Sequence, residues 1–462
     1  MAILSLVASG LALTVLLYAK LRRSHLALQA RNTELEYVSL HDPVTGLGNR
    51  RAIERYVEAL KGEAYHGLGI SIKRFGLILG SMGHEAGDEL VRQIAARLDG
   101  VASAHGGQLF RLDGYTFGAI LADRRLRVPV ATVLDELAAA MAAPFAVGNQ
   151  SLVAAVCMGA AHYPTHGSHG HEVARCVELA RRRAHGEPGN SYALYDEGLM
   201  AQERDRLGLE SRLSQAIARG ELQLHYQPQH ALDDGRVLGF EALLRWHSPE
   251  GTVLPGVFIP VAEDTGLIVS LGGWVLAEAC RQARAWADAG DGRTTVSINI
   301  SPRQFRHPDF MDTVRRVLQE TGVQPASIEL EITEGAMMED GEAAIAQLHA
   351  LRAMGLKLAI DDFGTGHASL SYLRRFPLNT LKIDQSFVQR LGVHDGDGAI
   401  VHALIGLGHT LGMSVTAEGL ETPRQEAALR AWGCDAVQGY LHGRPMPASA
   451  ATGLLRQAVQ LG

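Results

Sequence analysis

Seven apolar, β-rich segments in the second half of the chain each carry a polar side chain at or near their C-terminal end. RVLGFEALLRW holds Glu241, TTVSINIS holds Asn299, and SIELEITE holds Glu329, Glu331 and Glu334. LKLAIDDFGTG carries Asp361-Asp362, LNTLKID carries Lys382 and Asp384, MSVTAEGLE carries Glu418 and Glu421, and CDAVQGY carries Gln438. A single acid after a single strand is ordinarily a solvated loop residue. A set of them is different, because carboxylates gathered in one place repel unless cations sit among them. Ligation by carboxylates and an amide suits hard divalent ions such as Mg²⁺ or Mn²⁺. Adjacent aspartates closing a hydrophobic strand are costly unless something binds there. One of the pair could bridge two ions about 3.5–4 Å apart, the arrangement for in-line attack on a phosphodiester. Lys382, the one cation of the set, would hold the attacking water or balance the developing phosphorane charge. The chemistry read from these residues is metal-dependent phosphoester hydrolysis. They do not name the substrate.

The elements that must position these groups follow from the pattern. From about residue 209 strands and helices alternate over about 245 residues, the usual size of a (β/α)8 barrel. In a parallel barrel the C-terminal strand ends converge on one mouth. Upstream, residues 41–196 also alternate between helix and strand, as an α/β sandwich of ordinary domain size. Within it FRLDGYTFGAI, residues 110–120, reads as two buried strands around a tight turn. Residues 197–208 are charged and helical in pattern, an interdomain helix.

The motifs closely resemble those of the EAL family of cyclic di-GMP phosphodiesterases. EALLRW, SINIS, ELEITE, AIDDFGTG, LKID, AEGLE and QGY stand in the family's order over residues 209–455. The resemblance implies a modified TIM barrel whose first strand, ELQLHYQP, runs antiparallel. It implies two Mg²⁺ or Mn²⁺ ions, the first on Glu241, Asn299, Glu331 and Asp361, the second on Asp362 and Glu418 with Asp361 shared. Lys382 matches the lysine that contacts the catalytic water, and Glu334 the residue that steadies the DFGTG loop. Asp362, Glu418 and Asp384 match further catalytic positions, whereas Gln227, Arg245, Glu421 and Gln438 match positions on the dinucleotide side of the site. The implied reaction is hydrolysis of cyclic di-GMP to linear pGpG. The alternatives are a non-catalytic cyclic di-GMP receptor or a scaffold. His367 departs from the family's frequent Tyr, at a position outside the matched ligands.

The upstream domain resembles the GGDEF family of diguanylate cyclases, with DPVTGLGNR and GHEAGDEL as shared segments. Its signature loop is replaced by Asp113-Gly114-Tyr115-Thr116-Phe117, and the family's D-x-D by Ser71-Ile72-Lys73. Leu79 stands where a guanine-contacting Asn is expected, and the upstream R-x-x-D site is missing from Ala104–Gly107. The resemblance therefore implies a degenerate, catalytically inactive domain kept for dimerisation or regulation.

Composition excludes other classes. A net charge of -7 without a long basic run argues against a DNA or RNA polymer as partner. Four dispersed cysteines without C-x-x-C spacing argue against a disulfide framework or a structural zinc site. HYPTHGSHGH, residues 162–171, is His-rich but matches no common zinc spacing and reads as an exposed loop. Residues 2–19 are free of charge and long enough for a bilayer core, with Lys20, Arg22 and Arg23 following. The expectation is an anchor in the bacterial inner membrane with both domains in the cytoplasm. A cleaved signal peptide fits less well, lacking a basic n-region and a small-x-small site. Leu21, Leu28 and Leu35 at heptad spacing are compatible with a short parallel coiled coil over residues 20–40 or with a solvated linker helix, and a homodimer is the expected assembly.

Overall fold

The computed structural model describes residues 37–148, 150–290, 294–338, 341–364, 373–391 and 395–461, together with Lys20, Arg22 and His25. The expected anchor, the heptad leucines and His367 lie outside the described residues, among which no helix is long and apolar enough to cross a membrane. The chain divides into two compact units between Asp205 and Arg206, within the helix Glu197–Ala216.

The first unit is built on a five-stranded sheet. Its strands are β1 (Tyr65–Ile72), β2 (Gln108–Asp113), β3 (Thr116–Ala122), β4 (Val156–Tyr163) and β5 (Ser191–Leu194), in the order β2-β3-β1-β4-β5. β1 is buried along almost its whole length because both of its faces are covered, as expected for a central strand of an α/β layer. On one face Leu68 and Ile70 pack with Leu90, Ile94 and Leu98 of the helix His84–Ala104. On the other, Tyr65 and Phe110 pack with Val173 and Val177 of the helix Gly170–His185. That second helix lies so close that a Cβ on Gly159 would meet the Arg181 backbone nitrogen at 2.2 Å, so β4 needs glycine there. The hairpin read from residues 110–120 is present: β2 and β3 pair antiparallel, and Arg111 closes the turn by donating to the Gly114 carbonyl at 2.8 Å.

The second unit is a closed eight-stranded barrel. Its strands are β6 (Leu222–Ala231), β7 (Val237–Ser248), β8 (Thr295–Ile300), β9 (Ile328–Thr333), β10 (Lys357–Phe363), β11 (Thr380–Ile383), β12 (Ser414–Glu418) and β13 (Ala436–Gln438). From β7 to β13 each strand pairs parallel with the next, which requires a crossover between them. β6 pairs antiparallel with both β7 and β13 and closes the ring, as the sequence resemblance implied. The reason is local: β6 and β7 are joined by a short hairpin in which Gly235 adopts φ 74° and Asp234 accepts from the Arg236 backbone. The helix Glu197–Ala216 joins this core through Leu209, Leu213 and Ala216.

Candidate active site

The barrel strands end in a ring of polar groups because each runs as an apolar stretch up to its last residues. Val296, Ile298, Leu330, Ile332, Leu358 and Ile360 fill the layers between the ring and the outer helices. Alternation then turns Asn299 and Glu331, which are register partners across β8 and β9, toward the lumen. Glu329, two residues before Glu331, belongs to a deeper layer. It accepts from Ser297 Oγ at 3.1 Å and Thr380 Oγ1 at 2.6 Å, so it is a satisfied interior carboxylate rather than part of the mouth.

Lys382 is the centre of the constellation. Its side chain is 2% exposed, and its Nζ lies 2.6 Å from Glu331 Oε2, 2.5 Å from Glu418 Oε1 and 3.3 Å from Asp361 Oδ1. Three strands thus deliver carboxylates to a cation on a fourth. Burial alone would lower the Lys382 ammonium, but the surrounding carboxylates, with Glu241 the strongest, hold it well above its ordinary value. In the metal-free site these carboxylates favour its charged form.

Glu241 stands beside this group, held by two amides. Asn299 Nδ2 donates to Oε1 at 2.5 Å and Gln438 Nε2 to Oε2 at 2.5 Å. Gln438 is itself fixed by Gln229 Nε2 at 3.0 Å and reaches Gln227 Oε1 at 3.2 Å. Gln229 was not among the residues singled out from sequence; its position two residues beyond Gln227 on the same strand face was the available signal.

Asp361 and Asp362 present a geometric problem that the strand solves by breaking its pattern. Successive residues of a regular strand point to opposite faces, so two consecutive carboxylates do not share one mouth. The β10–β11 register shifts between Ile360 and Phe363, and Asp362 adopts φ 54°. A bulge with a left-handed aspartate is a strained local conformation of the kind that re-aims side chains at active sites. Burial pushes the Asp362 carboxyl up to about 6, with Asp361 and Asp384 adding like charge.

The remaining residues frame the mouth. Glu334 Oε2 accepts from the Gly364 backbone nitrogen at 3.3 Å and so ties the start of the helix Glu334–Met338 to the end of β10. Asp384 caps the helix Gln385–Gln389 by accepting from Ser386 N at 3.0 Å. Gln227 donates to the Gly443 carbonyl at 3.1 Å and Arg245 to the Leu244 carbonyl at 2.9 Å. Glu421 lies on the exposed rim, its backbone nitrogen bound to Gln425 Oε1 at 3.0 Å.

The donor set fits divalent cations. Glu331 Oε1 and Asp361 Oδ1 are buried and make no hydrogen bond among the described residues, although Oδ1 is within ion-pair distance of Lys382. Buried carboxylate oxygens without donors are costly, and a hard cation is the ligand that oxygen atoms of this kind satisfy. Burial also pushes the Glu331 carboxyl well above its usual range and the Glu418 carboxyl up to about 8, with Lys382 opposing both. Both carboxyls therefore gain when positive charge arrives.

At the hairpin of the first unit two of the expected acid positions carry neutral hydroxyls. Ser71 Oγ and Thr116 Oγ1, where the two acids of the resemblance would stand, lie 3.1 Å apart as a hydroxyl pair. Lys73 Nζ binds the Glu187 carbonyl at 2.5 Å and Ser191 Oγ at 2.9 Å. Leu79 packs against the core, and a Cβ on Gly87 would meet its Cδ2 at 2.2 Å.

Comparison with known proteins agrees with this architecture. A model described as the EAL domain matches residues 210–445, half of the chain, and one described as diguanylate cyclase, GGDEF domain, matches residues 39–191. The chain is 37% identical over 429 residues to a Pseudomonas aeruginosa protein named bifunctional diguanylate cyclase/cyclic di-GMP phosphodiesterase MucR, covering 91% of this chain and 62% of that one. It is 35% identical over 436 residues to the cyclic di-GMP phosphodiesterase NbdA of the same organism, covering 93% and 55%. This chain thus spans between about half and two-thirds of the length of these relatives. A solved structure, the PaMucR phosphodiesterase in complex with c-di-GMP, is 46% identical, covers 53% of this chain and 99% of that one, and superposes with a TM-score of 0.52. With these matches over a closed barrel whose mouth gathers Glu241, Asn299, Glu331, Asp361 and Lys382, the chain belongs to the EAL domain family and carries a GGDEF domain ahead of its barrel.

Proposed function

We propose that the barrel hydrolyses one phosphodiester of cyclic di-GMP, consuming one water and leaving linear pGpG. The observation that carries this reading is the buried Lys382 among Glu331, Asp361 and Glu418, with carboxylate oxygens left over for cations. Glu241, Asn299, Glu331 and Asp361 would hold one Mg²⁺ or Mn²⁺ ion, and Asp362 and Glu418 a second with Asp361 shared. Such ions polarise the phosphoryl oxygens and lower the pKa of the attacking water. The chain's own contribution is positioning. Asn299 and Gln438 fix both oxygens of Glu241, and Glu334 fixes the backbone following Asp362. Lys382 donates to the water and offsets charge that builds on the phosphorus oxygens, a task suited to a group that keeps its proton. Gln227, Arg245, Glu421 and Gln438 line the side on which the guanine nucleotides bind.

Incubation of the chain from about residue 35 with cyclic di-GMP and Mn²⁺ is expected to yield pGpG, read by chromatography of the nucleotides. Glu241→Ala is expected to yield none, since its loss leaves Asn299 and Gln438 without their acceptor. Cyclic di-GMP that binds yet stays intact in the wild type would instead make the barrel a receptor.

The GGDEF unit in this reading makes no cyclic di-GMP. A neutral Ser71–Thr116 pair beside Lys73 supplies no anionic oxygen for a nucleotide-bound metal, so its role is dimerisation or regulation. Incubation with GTP is expected to give no cyclic di-GMP by the same chromatography, with the Glu241→Ala variant used to prevent its consumption. Anchoring through residues 2–19 at the bacterial inner membrane, with both units in the cytoplasm, rests on the apolar run and the basic residues after it.

A further inference from the structure

The His-rich segment that matches no zinc spacing contributes one residue to a cluster that the sheet assembles from three strands. His66 on β1 and His162 on β4 are direct register partners, with ring centroids 4.6 Å apart. Asp123, just past the end of β3, is drawn to the same edge because its backbone nitrogen bonds the Ala64 carbonyl at 3.0 Å. One ligand atom from each of these three residues lies within 4.8 Å of the others.

We infer that His66, Asp123 and His162 form a binding site for a first-row divalent transition ion, zinc foremost, in the GGDEF unit. Two imidazoles and a carboxylate are a donor set for zinc, with a fourth position left open to solvent or an exogenous ligand. Asp123 Oδ2 is 2.9 Å from His162 Nε2, whereas its buried Oδ1 has no hydrogen-bond partner among the described residues and faces His66 Nε2 at 3.9 Å. Ligand atoms around a tetrahedral ion at about 2.0–2.1 Å stand about 3.3–3.5 Å apart, so the His66–Asp123 pair is a few tenths of an ångström too wide and the three ligand atoms, all within 4.8 Å of one another, would draw together by about 1 Å at most on binding the ion. The outer contacts are of the kind that orient a metal-binding imidazole. His162 Nδ1 is 2.8 Å from Thr165 Oγ1, which leaves Nε2 for the ion, and the His162 backbone nitrogen donates to His166 Nδ1 at 3.0 Å.

The open side is a cleft of about 380 Å³ lined by His66, Asp123, Leu126, Arg127, Val128 and Pro129, where the fourth ligand would enter. The site is separate from the degenerate hairpin. Ser71, opposite Thr116, lies five residues along β1 from His66, about 17 Å at the rise of a strand.

The test compares full chains in the same excess of Mg²⁺, so that any zinc taken up by the barrel carboxylates is common to the wild type and every variant. Zinc retained after gel filtration is measured by elemental analysis, and cobalt substitution reads the coordination sphere optically. The wild type is expected to keep one zinc more per chain than His66→Gln, His162→Gln or Asp123→Asn. Its cobalt form should show the intense visible bands of a four-coordinate site. Weakening should reach at least the roughly 100-fold that loss of outer contacts alone produces. Asp123→Asn preserves shape and carries the test if a histidine variant does not fold, as judged by circular dichroism. Equal zinc in the wild type and any folded variant overturns the inference, as does a cobalt spectrum with only the weak bands of an octahedral ion.

Discussion

The Lys382→Met substitution is expected to lower turnover of cyclic di-GMP by about 10²–10³-fold with Mn²⁺ saturating, the loss typical of one electrostatic stabiliser. It should also destabilise the metal-free barrel by about 3–5 kcal/mol, since removing one partner of a buried ion pair strands the other. Here the stranded partners are Glu331, Glu418 and Asp361, all within 3.3 Å of the ammonium. The two losses separate under one change of conditions. Divalent ions supply the positive charge that the variant lacks, so the stability deficit should shrink when they are added, whereas the catalytic deficit should persist. Thermal melts with and without a chelator read the first, and pGpG formation the second. Undiminished turnover in the variant would remove Lys382 from the chemistry and leave it only the role of counter-ion.

Chelation of divalent ions is expected to cost the barrel more stability at pH 8 than at pH 5.5. The sign follows from the direction of the shifts. Burial raises the Glu418 carboxyl from an ordinary 4.5 to about 8, so the folded state binds a proton more tightly than the unfolded chain. Its stabilising effect is complete below about pH 4.5 and is lost as pH rises to about 8, on the order of 3–5 kcal/mol over that window. Glu331 is shifted the same way by its burial. Lys382 is raised from 10.5, so its contribution is complete throughout this window and does not alter the slope. Ions bind the ionised carboxylates, and their affinity rises as these protons leave. The difference in melting temperature between Mn²⁺ and chelator should therefore widen from pH 5.5 to pH 8. A difference that narrows would mean that these carboxyls are ionised in the metal-free fold and that their burial is relieved by other means.

The order of the polar strand ends, and with it the barrel, was legible along the chain. Apolar β-rich runs alternating with helices leave few topologies, and parallel strands must deliver their C-terminal ends to one mouth. The antiparallel β6 was readable only through family resemblance, although the short 232–236 connection explains it physically. Glu329 shows the limit of reading acids from strand ends: it shares a face with Glu331, yet it lies one layer deeper and is satisfied by Ser297 and Thr380. Layer depth depends on the stagger between neighbouring strands, which no local pattern encodes.

By itself, then, the sequence determined the two domains, the barrel mouth and its oxygen-rich donor set, because each is written in periodicity and residue type within a single strand. Only the tertiary structure decided the rest. The bulge that turns both Asp361 and Asp362 to use is a departure from strand period, set by packing against β11. The convergence of Glu331, Asp361 and Glu418 on one ammonium depends on which strands are neighbours in the closed ring. The meeting of His66, Asp123 and His162 joins positions as much as 96 residues apart (162 − 66) through pairing of β1 with β3 and β4. Contacts between distant strands are selected by global burial and hydrogen bonding, and spacing along the chain does not record them.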